Sequence, residues 1–222
     1  MKRQEITTSL LPAGYRQLEY IESSGGQYID IPVQFYANKQ AVIEWIMTHR
    51  DSYPNYSPYN NWHGYLFGCS VYGSGSTYKN FSSDYYSHSS NNNVTYASTI
   101  SGNATSGGYG VKIGTKTWVM LSTTQKHSQY LENGEWVDLS PLSTLNRPIR
   151  QNFNGLRLFD ANIGNRTRTY PLTLHWFKIT VDNVEVVNLV PALRTSDSKP
   201  GLYDTLNNQF YINQGTGEFL YN

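Results

Sequence analysis

The chain has 222 residues, with 17 Lys and Arg against 16 Asp and Glu, and only 15% of its residues are charged. This balance gives no basic field that would attract nucleic acid or an anionic membrane surface, so neither is an expected partner. No apolar run is long enough to span a membrane, and none follows the basic N-terminus as a secretory signal would require.

The first predicted elements lie near the N-terminus. Residues 1–11 are polar with little periodicity, and we interpret them as an N-terminal extension or docking arm. A single domain is predicted over residues 12–222, a common length for one β-sandwich. Residues 20–31 are typical of a strand, a glycine turn and a second strand, with Ile29 and Ile31 on one face.

Residues 40–49 predict a longer strand by their period-two alternation. One predicted face is apolar and consists of Ala41, Ile43, Trp45 and Met47. Glu44 lies on the opposite face, where it is either a catalytic or ligand-binding acid or, as we favour, a sheet-face residue with access to solvent or hydrogen-bond partners.

The next stretch is rich in tyrosine and small polar residues. Residues 51–59 contain two X-Pro steps, which predict a long loop because proline removes a ladder donor and restricts the residue before it. Strand character returns over residues 61–72, where we interpret the lone Cys69 as a small buried apolar residue. Residues 73–110 show only short apolar alternations and no helical period, so we expect long loops with short strands there.

Two further elements follow residue 110. An Asn133-Gly134 type I′ turn predicts a hairpin over residues 129–139, with Leu131 opposite Trp136. Residues 154–163 predict a strand. Two pairs of residues should lie on its opposite faces, Leu156 and Leu158 on one and Arg157 and Phe159 on the other.

A second hairpin is predicted from Val181 to Val184, because Asp182 and Asn183 tolerate the positive φ of a tight turn. In that register, Ile179 faces Val186 and Phe177 faces Asn188. One apolar face should therefore hold Phe177, Ile179, Val181, Val184 and Val186. Strands at this spacing, with Gly and Asn turns and no helices, predict an all-β protein built as an antiparallel two-sheet β-sandwich with long Tyr/Ser/Asn-rich loops.

Several motifs together resemble the concanavalin A-like lectin/glucanase superfamily, in particular a LamG-like jelly-roll group common in gut-phage virion proteins and bacterial surface proteins. The motifs are YIESSGGQYIDI at 20–31, LFG at 66–68, LRLFDANIG at 156–164, FKITVDNVEVVNLVPALR at 177–194 and GLYDTLNNQFYINQGTGEF at 201–219. The resemblance implies a jelly roll of two packed antiparallel sheets. The motif at 27–30 and the glycines at 215 and 217 are not catalytic signatures, and we interpret them as packing and turn elements.

The sequence predicts neither catalysis nor a cofactor. The tight Glu-x-Asp-x-Glu cluster of the glucanase branch is absent, and Glu132 and Glu135 meet only at a solvated hairpin tip. The five histidines are scattered without a Gly-x-Ser-x-Gly motif. Asp160-x-Asn162 begins like a calcium loop but lacks the later ligands, so no metal site is predicted.

The leading hypothesis is a non-enzymatic phage virion module, a fibre or surface decoration with a lectin-like domain that binds a host cell-surface glycan. It rests on the resemblance and on the 19 tyrosines among many Ser, Asn and Gly, since Tyr supplies stiff amphipathic contact area and the small residues supply hydrogen bonds. The predicted ligand-binding residues are Tyr53, Tyr56, Tyr59, Trp62, Tyr72, Tyr78, Tyr85 and Tyr86.

Two alternatives stay open, a purely structural virion assembly protein and a glycoside hydrolase in which Glu44 meets a second acid in a groove. The expected partners are the host glycan, other virion proteins and further copies of the chain, with a trimer favoured because fibres are usually symmetric oligomers. Localisation in the virion is expected, after synthesis in the host cytoplasm without a secretory signal.

Overall fold

The computed structural model describes residues 11–50, 65–73, 76–88, 93–100, 105–145, 148–149, 152–160 and 171–222. Within these ranges every regular element is a β-strand, and all of the strand pairs are antiparallel. No helix in the described residues could cross a membrane. The predicted all-β, antiparallel class is confirmed.

Seventeen strands make up the described fold. In chain order they are β1 (Tyr15–Gln17), β2 (Ile21–Ser23), β3 (Ile29–Phe35), β4 (Ala41–Thr48), β5 (Tyr65–Gly73), β6 (Ser76–His88), β7 (Asn93–Ile100), β8 (Thr105–Lys112), β9 (Thr117–Ser122), β10 (Gln125–Glu132), β11 (Glu135–Thr144), β12 (Phe153–Leu158), β13 (Leu172–Val181), β14 (Val184–Arg194), β15 (Lys199–Asp204), β16 (Gln209–Ile212) and β17 (Leu220–Tyr221).

The strands form two sheets, one of eleven strands and one of six. The main path of the larger sheet runs β11-β10-β9-β4-β13-β14-β15-β16, with β1 beside β14, β2 beside β13 and β17 beside β2. The smaller sheet runs β3-β12-β5-β6-β7-β8. The strand β16 is therefore an edge of the larger sheet, and β3 is an edge of the smaller one.

One apolar core joins the two sheets. The β4 face predicted from the alternation is confirmed, because Ala41, Ile43, Trp45 and Met47 are all fully buried. The Trp45 ring meets Phe67 of β5 and Tyr109 of β8 in edge-to-face contacts, with centroids 5.0 and 5.6 Å apart. Cys69 of β5 is buried in the same core, as predicted.

The predicted long loops between residues 73 and 110 were wrong for most of that stretch, which forms the three strands β6, β7 and β8. Several residues that face the core in these strands carry a hydroxyl group, so the strands lack the alternation of apolar and polar residues that predicts a strand. Ser83, Tyr96 and Tyr109 are all buried, the Tyr109 hydroxyl bonds Ser83, and the Tyr96 hydroxyl bonds Nδ1 of His49 at 2.9 Å. Tyrosine suits a strand and its ring fills a core, provided its hydroxyl finds a partner.

Both predicted hairpin turns are confirmed. Asn133 and Gly134 have φ values of 51° and 83°, and Leu131 pairs with Trp136. Asp182 and Asn183 have φ values of 49° and 64°. These are the positive φ values that a type I′ turn requires at both central positions.

The register predicted beyond the second of these turns was wrong by one residue. Thr180 pairs with Glu185, but Ile179 pairs with Val187, so Val186 is an extra residue that forms a β-bulge. Phe177 consequently faces Leu189 instead of Asn188. A bulge reverses the alternation beyond it, which explains why Val187 and Leu189 are buried while Val184 and Val186 are not.

The strand predicted at residues 154–163 ends early. Leu156 and Leu158 are buried as predicted, and Arg157 on the other face binds Asp30 through a 2.7 Å bond. The prediction that Phe159 shares a strand face with Arg157 was wrong. Phe159 has a φ of 63°, which is not a strand conformation, and β12 ends at the residue before it. The Phe159 side chain is buried in the core, where it contacts Phe219.

The motif at residues 27–30 is a packing element, as interpreted from the sequence. Gln27 is buried, and its Oε1 accepts hydrogen bonds from the Ser23 hydroxyl and the Ser24 amide. Its Nε2 donates to the carbonyl of Glu218 at 3.1 Å. One side chain therefore ties the β2–β3 turn to the C-terminal segment.

His175 lies at another junction of the larger sheet, in a β-bulge between Leu174 and Trp176. Its Nδ1 donates to the carbonyl of Glu19 at 3.1 Å, and its Nε2 accepts from the Thr48 hydroxyl at 2.9 Å. Burial lowers the pKa of His175 to about 4, and the charge of Lys116 acts in the same direction. The imidazole is therefore neutral in the folded protein at neutral pH.

This lowered pKa predicts a pH dependence of stability. Unfolding returns His175 to its usual pKa near 6.5, so between the two values the unfolded chain binds a proton that the folded one does not. The contribution of His175 to the free energy of unfolding should be fully present above about pH 6.5 and fall as the pH is lowered toward 4. Urea unfolding of His175→Gln between pH 4 and 7 should show a flatter pH profile than the original protein, with His127→Gln as the control. An unchanged profile would refute this role of His175.

Candidate functional site

The described surface contains a cleft of about 610 Å³ between the edge strands β3 and β16, close to the β13–β14 hairpin. Each edge strand has a neighbour on one side only in its sheet. The cleft is lined by Pro32, Val33, Gln34, Tyr36, Val181, Val186, Val187, Asn207, Gln209 and Tyr211. Its volume falls in the range of small-molecule sites in proteins.

Hydrogen bonds hold the two edges together at one end. The Gln214 amide donates to the carbonyl of Tyr28 at 2.9 Å, and the Tyr28 amide donates to Oδ1 of Asn213 at 3.1 Å. The Thr216 amide likewise donates to Gly26. The cleft is lined by residues further along both strands, so the edges separate from this tied end.

The floor of the cleft is made of valines, and the β-bulge in β14 supplies two of them. Val33 and Val187 are almost fully buried, and Val181 is buried at the end of β13. Val186 is the extra residue of the bulge, so it and Val187 both line the cleft although they are neighbours in sequence. A regular strand would have sent them to opposite faces.

The rim carries an aromatic ring and three amide side chains. Tyr36 is 42% exposed, and its hydroxyl donates to Oε1 of Gln34 at 2.8 Å, which holds the ring beside the opening. Asn207 uses its Nδ2 for the carbonyl of Val186 at 2.8 Å and for Asp204 at 2.7 Å. The Oδ1 of Asn207 can therefore accept a hydrogen bond from a ligand.

Asp204 lies behind the rim and fixes Asn207 in place. Its carboxylate is fully buried and accepts from the backbone amides of Asn188, Leu206 and Asn207 at 3.0 to 3.3 Å. A buried carboxylate is stable when its acceptors are matched by donors in this way. The turn between β15 and β16 is therefore held rigidly against the β14 bulge.

Tyr211 presents its ring from β16. Burial raises the pKa of its hydroxyl, and the negative charge of Asp204 raises it further. The hydroxyl consequently keeps its proton at neutral pH and can donate a hydrogen bond. The backbone of Tyr211 passes so close to Gly201 that a Cβ there would overlap the Tyr211 carbonyl oxygen, which explains glycine at this position.

The chemistry of the cleft is that of a neutral binding site. Its lining holds two tyrosines, three amides, a proline and four valines, and none of these is a carboxylate or a basic group. Apolar surface with a few convergent polar groups is typical of a ligand site. Such a lining can bind an uncharged, partly apolar ligand and offers no acid and base pair for hydrolysis.

The opposite side of the structure is closed. There β8 packs against the β10–β11 hairpin, with the Gly110 amide donating to the Ser140 hydroxyl at 2.8 Å. Lys126 donates to the carbonyl of Gly108 at 2.9 Å. In the described residues, the two sheets meet on this side, whereas the cleft lies between the edge strands β3 and β16.

None of the residues predicted from composition is among the described residues that line this cleft. Tyr53, Tyr56, Tyr59 and Trp62 lie outside the described residues. Tyr72 is in β5, while Tyr78, Tyr85 and Tyr86 are in β6, beyond β12 and β5 from the edge strand β3. Their part in ligand binding stays a prediction.

The sequence reasoning missed the residues of the cleft because it treated residues 170–219 as scaffold. That segment supplies six of the ten lining residues. One usable signal was the FY pair that both edge strands carry near their ends, Phe35-Tyr36 and Phe210-Tyr211. A neighbouring pair of aromatics in an edge strand places one ring on each face.

The glutamates that the sequence offered as candidate acids do not line the cleft. Glu44 binds Lys178 at 2.7 Å on the outer face of the larger sheet, as expected for a sheet-face residue. Glu132 binds Lys112 at 3.2 Å at the hairpin tip, where it faces Glu135. In the described part of the chain no three His, Cys, Asp or Glu side chains gather as a metal site would require.

The sequence matches no protein family and no curated protein. Among solved structures, one that the fold resembles is a scytalidoglutamic peptidase crystallised with a peptide-based transition-state analogue. The alignment covers 92% of this chain and 100% of that chain, with 11% sequence identity and a TM-score of 0.32. A similarity of this size assigns no activity to the chain.

Proposed function

We propose that the protein is a non-enzymatic, glycan-binding module and that the cleft between β3 and β16 holds the sugar. The observation that supports this most is the lining of the cleft, in which tyrosine rings and amide side chains surround an apolar floor without any charged group. Sugar rings have apolar C–H faces that stack on aromatics, and their hydroxyls pair with amides.

The fixed geometry of the rim favours this ligand class. Asn207 has one acceptor left, Gln34 keeps an amide nitrogen as a donor, and Tyr211 keeps its proton. Sugars present hydroxyls that donate and accept at once, so a mixed set of donors and acceptors suits them. A neutral glycan also leaves no charge buried in a site that could not compensate it.

The finer architecture and biological setting are part of the proposal. We envisage a concanavalin A-like jelly-roll sandwich, which the apolar core shared by the two sheets supports. We place it in a virion fibre or surface decoration, as the motif resemblance implies. Host cell-surface glycans and other virion proteins would be its partners. In an oligomer such as a trimer, several weak clefts would bind one cell surface with high avidity.

Removing the aromatic rings of the cleft should weaken binding. Tyr36→Ala with Tyr211→Ala takes away both stacking surfaces, and fully burying one such side chain contributes about 1.5–3 kcal/mol. Affinity for the best neutral glycan found on an array should therefore fall about tenfold or more. Titration calorimetry with that glycan would measure the change.

The matched control is Tyr221→Ala, which removes an exposed tyrosine from β17, away from the cleft. It should bind like the original protein. Failure of oligomeric protein to bind any array glycan would overturn the lectin proposal. If light scattering then showed a stable oligomer, the structural assembly alternative would be favoured. Release of reducing sugar, abolished by Glu44→Gln, would instead support the hydrolase alternative.

A further inference from the structure

At one end of the cleft, the valine floor meets both a hydrogen-bond acceptor and a hydrogen-bond donor. Asn207 donates its Nδ2 to the Val186 carbonyl at 2.8 Å, which places the Asn207 amide beside the floor. Tyr211 lines the same cleft from β16. We propose that Val186, Asn207 and Tyr211 form an acetyl subsite, which binds the acetamido group of an N-acetylhexosamine; this assignment rests on the glycan-binding function proposed above.

The valine floor favours a methyl group over a sugar hydroxyl. Val33, Val181 and Val187 are buried, and Val186, the extra residue of the β-bulge, is the most accessible of the four. Their side chains form no hydrogen bonds, so a hydroxyl pressed against them would lose its water partners without replacement. The substituents of a plain hexose end in hydroxyls. The acetamido group of an N-acetylhexosamine ends in a methyl group, which gains from burial there.

The polar groups beside the floor match the two polar groups of an acetamide. Nδ2 of Asn207 is committed to the Val186 carbonyl and to Asp204, so Oδ1 can accept from the acetamido N–H. Burial raises the pKa of the Tyr211 hydroxyl, and the charge of Asp204 raises it further. This hydroxyl therefore stays protonated at neutral pH and can donate to the acetamido carbonyl. Asp204 acts on both groups, which places donor and acceptor in one region of the cleft.

Other ligands satisfy only part of this arrangement. A 6-deoxyhexose has a methyl group for the floor but no amide for Asn207 and Tyr211. A hexosamine without its acetyl group is cationic, and the cleft lining has no carboxylate to compensate that charge. An extended peptide carries amides, but Pro32 in the edge strand β3 lacks an amide hydrogen and disfavours strand addition there.

The test compares the binding of methyl glycosides to the full chain by NMR titration. In the gluco or the galacto series, the sugar with a 2-acetamido group should bind at least tenfold more tightly than the sugar with a 2-hydroxyl. This gain combines one buried methyl group with two hydrogen bonds. Methyl fucoside, a 6-deoxyhexoside, should bind more weakly than the better N-acetyl sugar.

The outcomes separate this assignment from the proposed function. Equal binding of acetylated and plain sugars would overturn the acetyl subsite and leave glycan binding intact. Tighter binding of the fucoside would also overturn it, because the floor would then hold the methyl group of a 6-deoxy sugar. Absence of binding to every sugar, on the array as well, would overturn both proposals.

Two variants test the subsite from the protein side. Val186→Thr places a hydroxyl in the floor at nearly unchanged volume, and Tyr211→Phe removes the donor but keeps the ring. Each should weaken binding of the N-acetyl sugar by about three- to tenfold and leave binding of the plain sugar nearly unchanged. Val184→Thr is the matched control, because it makes the same change in β14 at a position that is 62% exposed beside the hairpin turn. Undiminished binding by the folded Val186 and Tyr211 variants would refute the subsite.

Should those variants fail to fold, saturation-transfer difference NMR on the original protein decides. The acetyl methyl protons of the bound sugar should receive more saturation than any of its ring protons, because they lie against the valine methyl groups. Stronger transfer to the ring protons would overturn the assignment.

Discussion

Gly215→Ala is expected to destabilise the protein by about 3 kcal/mol, the upper end of the usual range for overpacking. A Cβ on Gly215 would overlap the carbonyl oxygen of Gly26 and would lie 3.0 Å from the Tyr28 ring. The obstruction is backbone, which cannot rotate away as a side chain can. The midpoint of urea unfolding should fall accordingly, with the slope unchanged.

This substitution should also affect the cleft, because the contact lies at its tied end. Separating Gly215 from Gly26 strains the bond from the Thr216 amide to Gly26 and the neighbouring bond from Gln214 to Tyr28. Hydrogen exchange of these two amides should therefore speed up more than exchange in β4, which lies in the middle of the larger sheet.

Gly114→Asn is the matched control for Gly215→Ala. Gly114 has a φ of 73°, and no atom lies within 4 Å of the position that a Cβ would take there. Asparagine tolerates that backbone conformation better than other residues. Gly114→Asn should therefore lower the free energy of unfolding by much less than Gly215→Ala does. Equal losses at the two positions would mean that the close backbone approach is not what requires glycine at residue 215.

The parts of the fold that the sequence predicted correctly depend on local chemistry. Asn133-Gly134 and Asp182-Asn183 set their own hairpins, since few residues accept the positive φ of the turn. The face of β4 could be predicted because Ile43 and its inward neighbours are all apolar. In such a strand, the period-two alternation directly indicates which side is buried.

The errors arose where distant parts of the chain decide the outcome. The bulge at Val186 has no sequence signature, because Glu185-Val186-Val187 can be read in either register. The lengths of the strands β7 and β8 were underestimated, because Tyr96 and Tyr109 are buried with their hydroxyls bonded to His49 and Ser83, which lie far away in sequence. No local pattern distinguishes such a tyrosine from one on a loop.

The candidate cleft was hidden for the same reason. It is a gap between two edges, and which strands become edges follows from the strand order of both sheets. Tyr36 and Tyr211 are far apart in the sequence yet line one cleft. Composition drew attention to tyrosine as a residue type. It could not select these two tyrosines from the 19 in the chain.

Trp45→Ala should be the most destabilising substitution in the core, with a loss of about 3–5 kcal/mol. Trp45 is fully buried, and its ring touches Phe67 and Tyr109 from the smaller sheet while its own strand lies in the middle of the larger one. Removing the indole leaves a cavity between the sheets, and neither sheet can close it without shifting its hydrogen-bonded strands. Urea unfolding followed by far-UV circular dichroism would measure the loss.

Trp118→Ala is the matched control, because it makes the same chemical change on the neighbouring strand β9 but on the outer face of the sheet. Trp118 is half-buried, so its truncation leaves a surface depression that water can fill, and the loss in stability should be much smaller. Trp45→Ala and Trp118→Ala remove the same indole from opposite faces of the larger sheet. Comparing their stabilities therefore separates the effect of burial from the effect of the chemical change. Trp45 joins the two sheets, whereas Trp118 lies on the outer face of the larger sheet. A loss at Trp118 as large as that at Trp45 would contradict this division, since the fold would then depend equally on both rings.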